Sequence, residues 1–292
     1  MPENIPVNDK RSTVNGGGQP RDPNREPFAV NHSPGTVKRI DTKWDDTEIV
    51  FSHMTPDTKF LFDRMTEVTL DAVAAAPDQC IMDLACGRAI DAFKLALKGA
   101  TVFGLDPSDT MLAKALEWIA PKPHPVVLIR SLAEKVPFPD SSFDKLVCKG
   151  AIDHFANLDA SLEEIFRILK PRGKLIISVA NFESLSCKLG RAYDRAYEKL
   201  KNRKRSEHPF WVPPDDHNFK FDCAFLLKRL EPRFSIEMVQ GLSLFWCLPY
   251  WGATLEKLKP KTAEKILKLL DGLASLVPSL SDVLVIRAVP RK

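Results

Sequence analysis

Cys80-Ile81-Met82-Asp83-Leu84 is a short apolar run that ends in Ala85-Cys86-Gly87-Arg88-Ala89, a turn of mostly small residues. A helix is predicted over about 89–98, closed by Gly99, and Thr101-Val102-Phe103-Gly104-Leu105 reads as the next strand. The alternation continues outward. A helix over about 108–119 precedes a strand at Pro125 to Arg130, and Phe143 to Cys148 forms a fourth. A helix over about 158–169 then leads through Lys170-Pro171-Arg172-Gly173 into a fifth strand, Lys174 to Ala180. Strands alternating with helices of this length need crossover connections and so pair in parallel. The expected fold is an open α/β sheet.

The flanks are less regular. Phe60, Leu61, Met65, Val68, Leu70, Ala72 and Val73 have helical spacing over 56–76, ahead of Pro77. Residues 184–205 read as one helix, with Leu185, Leu189, Ala192, Tyr193, Ala196 and Leu200 on its apolar face. Lys188, Arg191, Arg195, Lys199 and Arg203 occupy the opposite face. Strands are expected at 234–240 and at Asp282 to Val289. Between them lie Phe245, Trp246, Tyr250 and Trp251 and an amphipathic helix near 262–277, together expected to form a helical, aromatic-rich lid. Residues 1–43 are rich in Pro, Asn, Gly and charge and cannot bury enough surface to offset the entropy of ordering. They are expected to be a disordered tail. The expected division is a cofactor half over 44–181, acceptor and lid elements over 182–281, and a last strand over 282–289.

The 292 residues carry 42 Lys and Arg against 38 Asp and Glu, a net charge of +4, with 44% hydrophobic residues. That is the mix of a globular protein, and too small a charge to argue for a DNA partner. No run reaches the ~18 apolar residues of a membrane-spanning helix. The six cysteines form no Cys-x-x-Cys pair and read as free thiols of a reducing compartment. No metal-ligand spacing is visible. An N-terminus beginning Pro2-Glu3-Asn4 shows no secretory signal, so the expected location is cytoplasmic, with contact at a membrane face left open.

In an open parallel sheet, ligands bind beyond the carboxyl ends of the strands, where the strand order reverses. The turn after the first strand offers close backbone approach and the amides of a helix start. Asp106, 19 positions after Gly87, is placed to accept both hydroxyls of a ribose. A dinucleotide fingerprint Gly-x-Gly-x-x-Gly and a Gly-x-x-x-x-Gly-Lys loop are both absent, which disfavours a nicotinamide dehydrogenase. The pattern present resembles the first motif and following acidic position of class I S-adenosylmethionine-dependent methyltransferases. The resemblance continues through Glu134-Lys135-Val136-Pro137-Phe138-Pro139-Asp140-Ser141-Ser142-Phe143-Asp144 and Leu169-Lys170-Pro171-Arg172-Gly173-Lys174-Leu175. It covers about a third of the chain and is similar to the small-molecule "type 11" branch.

That resemblance implies a Rossmann-like open seven-stranded, mostly parallel sheet sandwiched by helices, with S-adenosylmethionine as cofactor. It implies that Asp83 reaches the methionine amino group and that Ala85, Cys86 and Gly87 line methionine and ribose. Asp106 would hold the ribose diol, and Pro107 and Met111 would lie near the adenine. Ala133 would present its amide to the adenine edge beside Leu132, and Lys149 would offer its carbonyl to the amino group. Two departures stand out. Ala85 and Ala89 replace glycines of the family turn, with room lost at Ala89 that could demand a shifted backbone, and Leu132 stands where the family often has Asp.

After the fourth strand, His154 and Asp153 lie where this branch often faces its acceptor, and His217 could reach the site from the lid side. All three are catalytic candidates for taking a proton from an acceptor hydroxyl. The expected reaction moves a methyl group to oxygen, with nitrogen or carbon less favoured, of a small-molecule, glycan or lipid-linked acceptor. The basic and aromatic segments beyond residue 184 could meet a membrane surface. A non-catalytic ligand- or partner-binding protein of the same fold is the first alternative. An RNA methyltransferase is the second, although no Asn-Pro-Pro-Tyr-like motif follows the fourth strand.

Overall fold

Near-continuous burial along Cys80–Leu84, Phe143–Lys149 and most of Leu169–Ala180, with both faces covered, builds the molecule from the sheet outward. The computed structural model describes residues 42–48, 54–122, 126–201, 209–214 and 217–291. All but Thr42 and Lys43 of the expected tail lie outside them, as do the basic residues 202–208. The strands are β1 (Cys80–Leu84), β2 (Thr101–Asp106), β3 (Val126–Arg130), β4 (Phe143–Lys149), β5 (Leu169–Ala180), β6 (Phe234–Leu242) and β7 (Val283–Pro290). They form one sheet in the order β3-β2-β1-β4-β5-β7-β6. The first five pair in parallel, and β7 runs antiparallel to both β5 and β6. The seven-stranded, mostly parallel α/β sheet expected from the sequence is the observed fold.

Neighbouring residues on a strand point to opposite faces, so each strand feeds two cores. Met82, Leu84, Leu146, Leu175 and Ile177 join one buried cluster, which also takes residues of α4 (Leu158–Ile168) and α6 (Cys223–Leu230). Ile81, Val102, Val147 and Ile176 join the other, with α1 (Pro56–Val73), α2 (Ile90–Ala96) and α3 (Asp109–Ile119). Each fully buried Leu, Ile or Phe contributes ~1.5–3 kcal/mol by leaving water. The starts of α3, α4 and α6 are fixed by side-chain caps. Ser108 accepts from the Met111 amide, Asn157 from Ala160 and Asp222 from Phe225.

Four expectations change. The motif Lys170 to Gly173 is not a turn ahead of the strand but part of β5. Its register against β4 shifts there, with Phe143 opposite Leu169 and Lys145 opposite Lys174. α6 was not expected, although Asp222 marks its start.

The helix α5 (Leu185–Lys201) forms but faces the other way. It buries Ser186, Cys187, Gly190 and Asp194 and leaves Leu189, Tyr193 and Leu200 exposed. The reason is contact distance: Gly190 lies so close to the Trp211 ring that an added Cβ would come within 2.6 Å of it. A leucine face could not approach that closely.

The aromatics of 245–251 do not line the main cavity. Trp246 donates its indole N–H to Thr58 Oγ1 (3.2 Å) and meets Phe62 edge-on. Trp251 and Phe60 pack on Leu255, Ala263 and Leu267, between α1, α7 (Trp251–Glu256) and α8 (Pro260–Leu276). Backbone amides of Phe245 and Trp246 are tied to Ser186 Oγ and Asp282 Oδ2. Trp251 thus belongs to a small separate core, Trp246 packs on the larger core that includes α1, and Tyr250 is exposed. Among the described residues no helix is long and apolar enough to cross a membrane.

Candidate functional site

The strand order reverses at β1, with β2 on one side and β4 on the other, so the connections leaving these strands diverge. A crevice opens there, at the carboxyl ends. It holds a cavity of about 420 Å³, within the range of small-molecule sites.

The turn after β1 forms its floor. Ala85, Gly87 and Ala89 all take left-handed backbone conformations, with φ of 59°, 53° and 56°. For alanine that conformation costs ~1–2 kcal/mol, and only Gly87 adopts it without strain. The turn is held by Cys86 N–H to Leu105 O (3.0 Å) and Ala89 N–H to Cys86 O (2.8 Å). The methyl of Ala89 is fully buried against the core, which offsets part of its strain. Ala89 thus sits in the turn as a left-handed residue with its methyl in the core.

Asp106 ends β2 and is 5% exposed. Its Oδ2 accepts from the Gly87 amide (2.9 Å) and its Oδ1 from the Ser108 amide (2.9 Å). Burial pushes its carboxyl above the ordinary range, against the two amides. Each oxygen keeps a lone pair for a further donor. Asp83 is also buried. Burial pushes its pKa up to about 7; the Asp91 charge adds to the rise, while Lys149 and the Ala92 amide oppose it. Lys149 Nζ pairs with Asp91 Oδ2 (2.6 Å) and donates to Thr66 Oγ1 (2.9 Å). Lys94 also reaches Asp91 Oδ1 (3.3 Å), so two ammonium groups pair with Asp91 and neither pairs with Asp83. The Cys86 thiol is driven well up by burial and is no nucleophile.

The structure places all ten cofactor candidates around the one cavity: Asp83, Ala85, Cys86, Gly87, Asp106, Pro107, Met111, Leu132, Ala133 and Lys149. His154 lines it as well. Asp153 and His217 do not, but they stand directly behind His154. His217 Nδ1 is 3.0 Å from Asp153 Oδ2, and the His154 and His217 rings meet edge-on at 4.4 Å.

Sequence reasoning missed three contributors. Asp91 belongs to the polar corner through Lys149. Glu134 Oε1 accepts the amides of Ala156 and Asn157, joining two loops of the cavity wall. Residues 42–48 form a strap whose Trp44 and Asp46 line the cavity. Arg88 grips both oxygens of Asp46 (2.5 and 2.9 Å), and Lys114 reaches Asp45, Asp46 and Thr47. Ser108 Oγ donates to Trp44 O (2.6 Å). The expected tail therefore ends earlier, since Thr42 O accepts the Asp109 amide. Aperiodic charged residues gave no local signal; distant cations order them.

A family model described as "Methyltransferase domain" matches residues 82–177. A demethylmenaquinone methyltransferase of Symbiobacterium thermophilum is 35% identical over 106 residues, or 34% of this chain and 42% of the relative. The chain spans less than half the length of the first curated relatives it matches. Among solved structures, the PH0226 protein of Pyrococcus horikoshii superposes with a TM-score of 0.53 at 18% identity, over 85% of this chain and 100% of that one. Phosphoethanolamine N-methyltransferase 2 of Haemonchus contortus, solved with S-adenosyl-L-methionine, gives 0.52 at 19% identity, over 78% and 53%. At such identities the structural likeness establishes the fold.

Proposed function

We propose that the chain, whose residues 82–177 match the methyltransferase domain model, belongs to the class I S-adenosylmethionine-dependent enzymes and transfers a methyl group from S-adenosylmethionine to a hydroxyl-bearing small molecule. The observation that carries this reading is the convergence of the ten cofactor candidates on one cavity at the strand-order reversal.

The residues fit the cofactor. Asp106 would take the ribose diol on its remaining lone pairs. Leu132, Ala133, Pro107 and Met111 would flank the adenine. Asp83, held near pH 7 by burial, would receive the methionine ammonium, whose charge relieves that strain. When bound, S-adenosylmethionine supplies a methyl carbon made electrophilic by its sulfonium.

The strap would then cover it. Arg88→Ala releases Asp46, and cofactor affinity is expected to fall about two- to fivefold, since a half-exposed pair contributes ~0.5–1 kcal/mol. Titration calorimetry at low and at high salt checks this. An unchanged affinity at low salt would remove the strap from the site.

At the other end of the cavity, His154 faces the acceptor with Asp153 and His217 behind it. Two imidazoles and a carboxylate are suited to draw the proton from a hydroxyl, so that the oxygen's electron pair forms the bond to the methyl carbon. An ionised ring hydroxyl also enriches the neighbouring ring carbons. The relatives named demethylmenaquinone methyltransferase therefore bring a lipid-linked quinol into range, methylated on carbon, beside the O-methyl products. The outward apolar residues of α5 (Leu189, Leu200) and α8 (Leu269, Leu273, Leu276) support contact with a lipid phase that holds such an acceptor.

The test is transfer of labelled methyl to phenols, quinols and lipid-linked hydroxyls, with products separated by mass spectrometry as O- or C-methyl. Cofactor binding with no transfer to any of these would favour the non-catalytic alternative.

A further inference from the structure

Asp153 and His154 are neighbours in the 3-10 turn after β4, whereas His217 lies 63 positions beyond His154. Folding brings their ligand atoms within 4.8 Å of one another. His217 Nδ1 is 3.0 Å from Asp153 Oδ2, and His154 Nε2 is 4.0 Å from Asp153 Oδ1. Atoms held ~2.1 Å from a common ion lie roughly 3 to 4 Å apart, so this spacing suits coordination. Asp153 is 3% exposed, and its Oδ1 accepts no hydrogen bond among the described residues. A buried carboxylate oxygen left in that state favours a cation.

The frame is built independently of any ion. Backbone amides of Asn218 and Phe219 donate to Asp153 O (2.7 and 3.1 Å), and Asn218 Nδ2 donates to His154 O (2.8 Å). These bonds stitch the His217 loop to the 152–154 turn and fix the three side chains relative to one another.

We propose that Asp153, His154 and His217 bind one divalent first-row transition ion at the wall of the cavity. Two imidazoles and one carboxylate select such an ion over calcium or magnesium, and three protein ligands leave coordination positions open. An ion held there would take over from these side chains the task of loosening the acceptor's proton, which would then pass to water. That catalytic role rests on the methyl-transfer reading; the binding does not.

The experiment titrates the full chain, cleared of metal by chelation, with Co2+, followed by visible absorption and calorimetry. One Co2+ per chain is expected, with ligand-field bands of nitrogen and oxygen ligation and no thiolate charge-transfer band from the free cysteines. His217→Ala and Asp153→Asn are expected to weaken it at least tenfold. S-adenosylhomocysteine binding, read in parallel, shows that each variant is folded, and His217→Gln serves if the alanine variant is not.

No stoichiometric Co2+ in a wild type that binds S-adenosylhomocysteine overturns the proposal and leaves only the close Asp153–His217 pair in its place. So does binding unchanged in both variants. Co2+ bound at these residues without S-adenosylhomocysteine binding upholds the ion site and counts against the methyl-transfer reading.

Discussion

Asp106→Ala is expected to weaken S-adenosylmethionine and S-adenosylhomocysteine binding at least a hundredfold. Two ribose hydroxyls donating to one carboxylate are charge-assisted hydrogen bonds of ~1.5–3 kcal/mol each, and the variant loses both. It also strips the Gly87 and Ser108 amides of their acceptor, so the turn after β1 loses its anchor to β2. The cost to the fold is smaller, about 1–2 kcal/mol, because the removed carboxylate was itself destabilised by burial. A thermal-shift titration separates the two effects. Ligand at ~100 times its dissociation constant stabilises the wild type by ~2.7 kcal/mol, several degrees at this size. The variant should melt slightly lower and show no shift. An equal shift in both proteins would mean that the cofactor does not lie against Asp106.

Asp83→Asn should do the opposite to the fold and the same to the ligand. The pKa of Asp83, about 7 when folded, lies above its ordinary 3.8, so the folded state holds the proton more tightly. The apoprotein carries no penalty below pH 4, loses stability as pH rises from there to 7, and above 7 bears the whole difference of ~4 kcal/mol. Asparagine removes that charge, and the variant apoprotein is expected to melt higher than wild type at pH 8 and equally at pH 4. Cofactor affinity moves the other way. An ammonium binds the ionised form, so wild-type affinity falls up to tenfold per unit below pH 7, while Asp83→Asn is weak throughout and flat with pH. Calorimetry between pH 5.5 and 8.5 tests both. A variant with wild-type affinity and slope would place the ammonium elsewhere.

Residues 80–180 were legible, the start of β5 apart, because Gly99, Gly150 and the caps at Ser108 and Asn157 punctuate them, and the turn motifs lie within a few positions of the strands that carry them. What escaped reading depends on distant partners. The periodicity of α5 is real, but which side is buried was decided by Trp211 against Gly190. The strap owes its order to Arg88 and Lys114, 40 or more positions away. Asp153 and His154 were legible as site candidates; their union with His217 was not, since no spacing rule spans such an interval. The aromatic segment 245–251 shows the converse error. Its composition suits a ligand cover, yet Trp246 and Trp251 pack beside α1 and Tyr250 is left exposed.

The position of β7 has a consequence for how the chain is completed during synthesis. β6 leaves the ribosome some forty residues before β7, yet β7 separates it from β5, and β6 pairs with nothing else in the sheet. Residues 234–242 therefore wait as an unpaired edge, as does β5 on that side, until 283–290 emerge and are inserted between them. A nascent or truncated chain lacking the last strand exposes two sticky edges at once, the state most prone to aggregation and chaperone capture. A strand three places from the site-bearing β1 is the one on which a soluble yield depends.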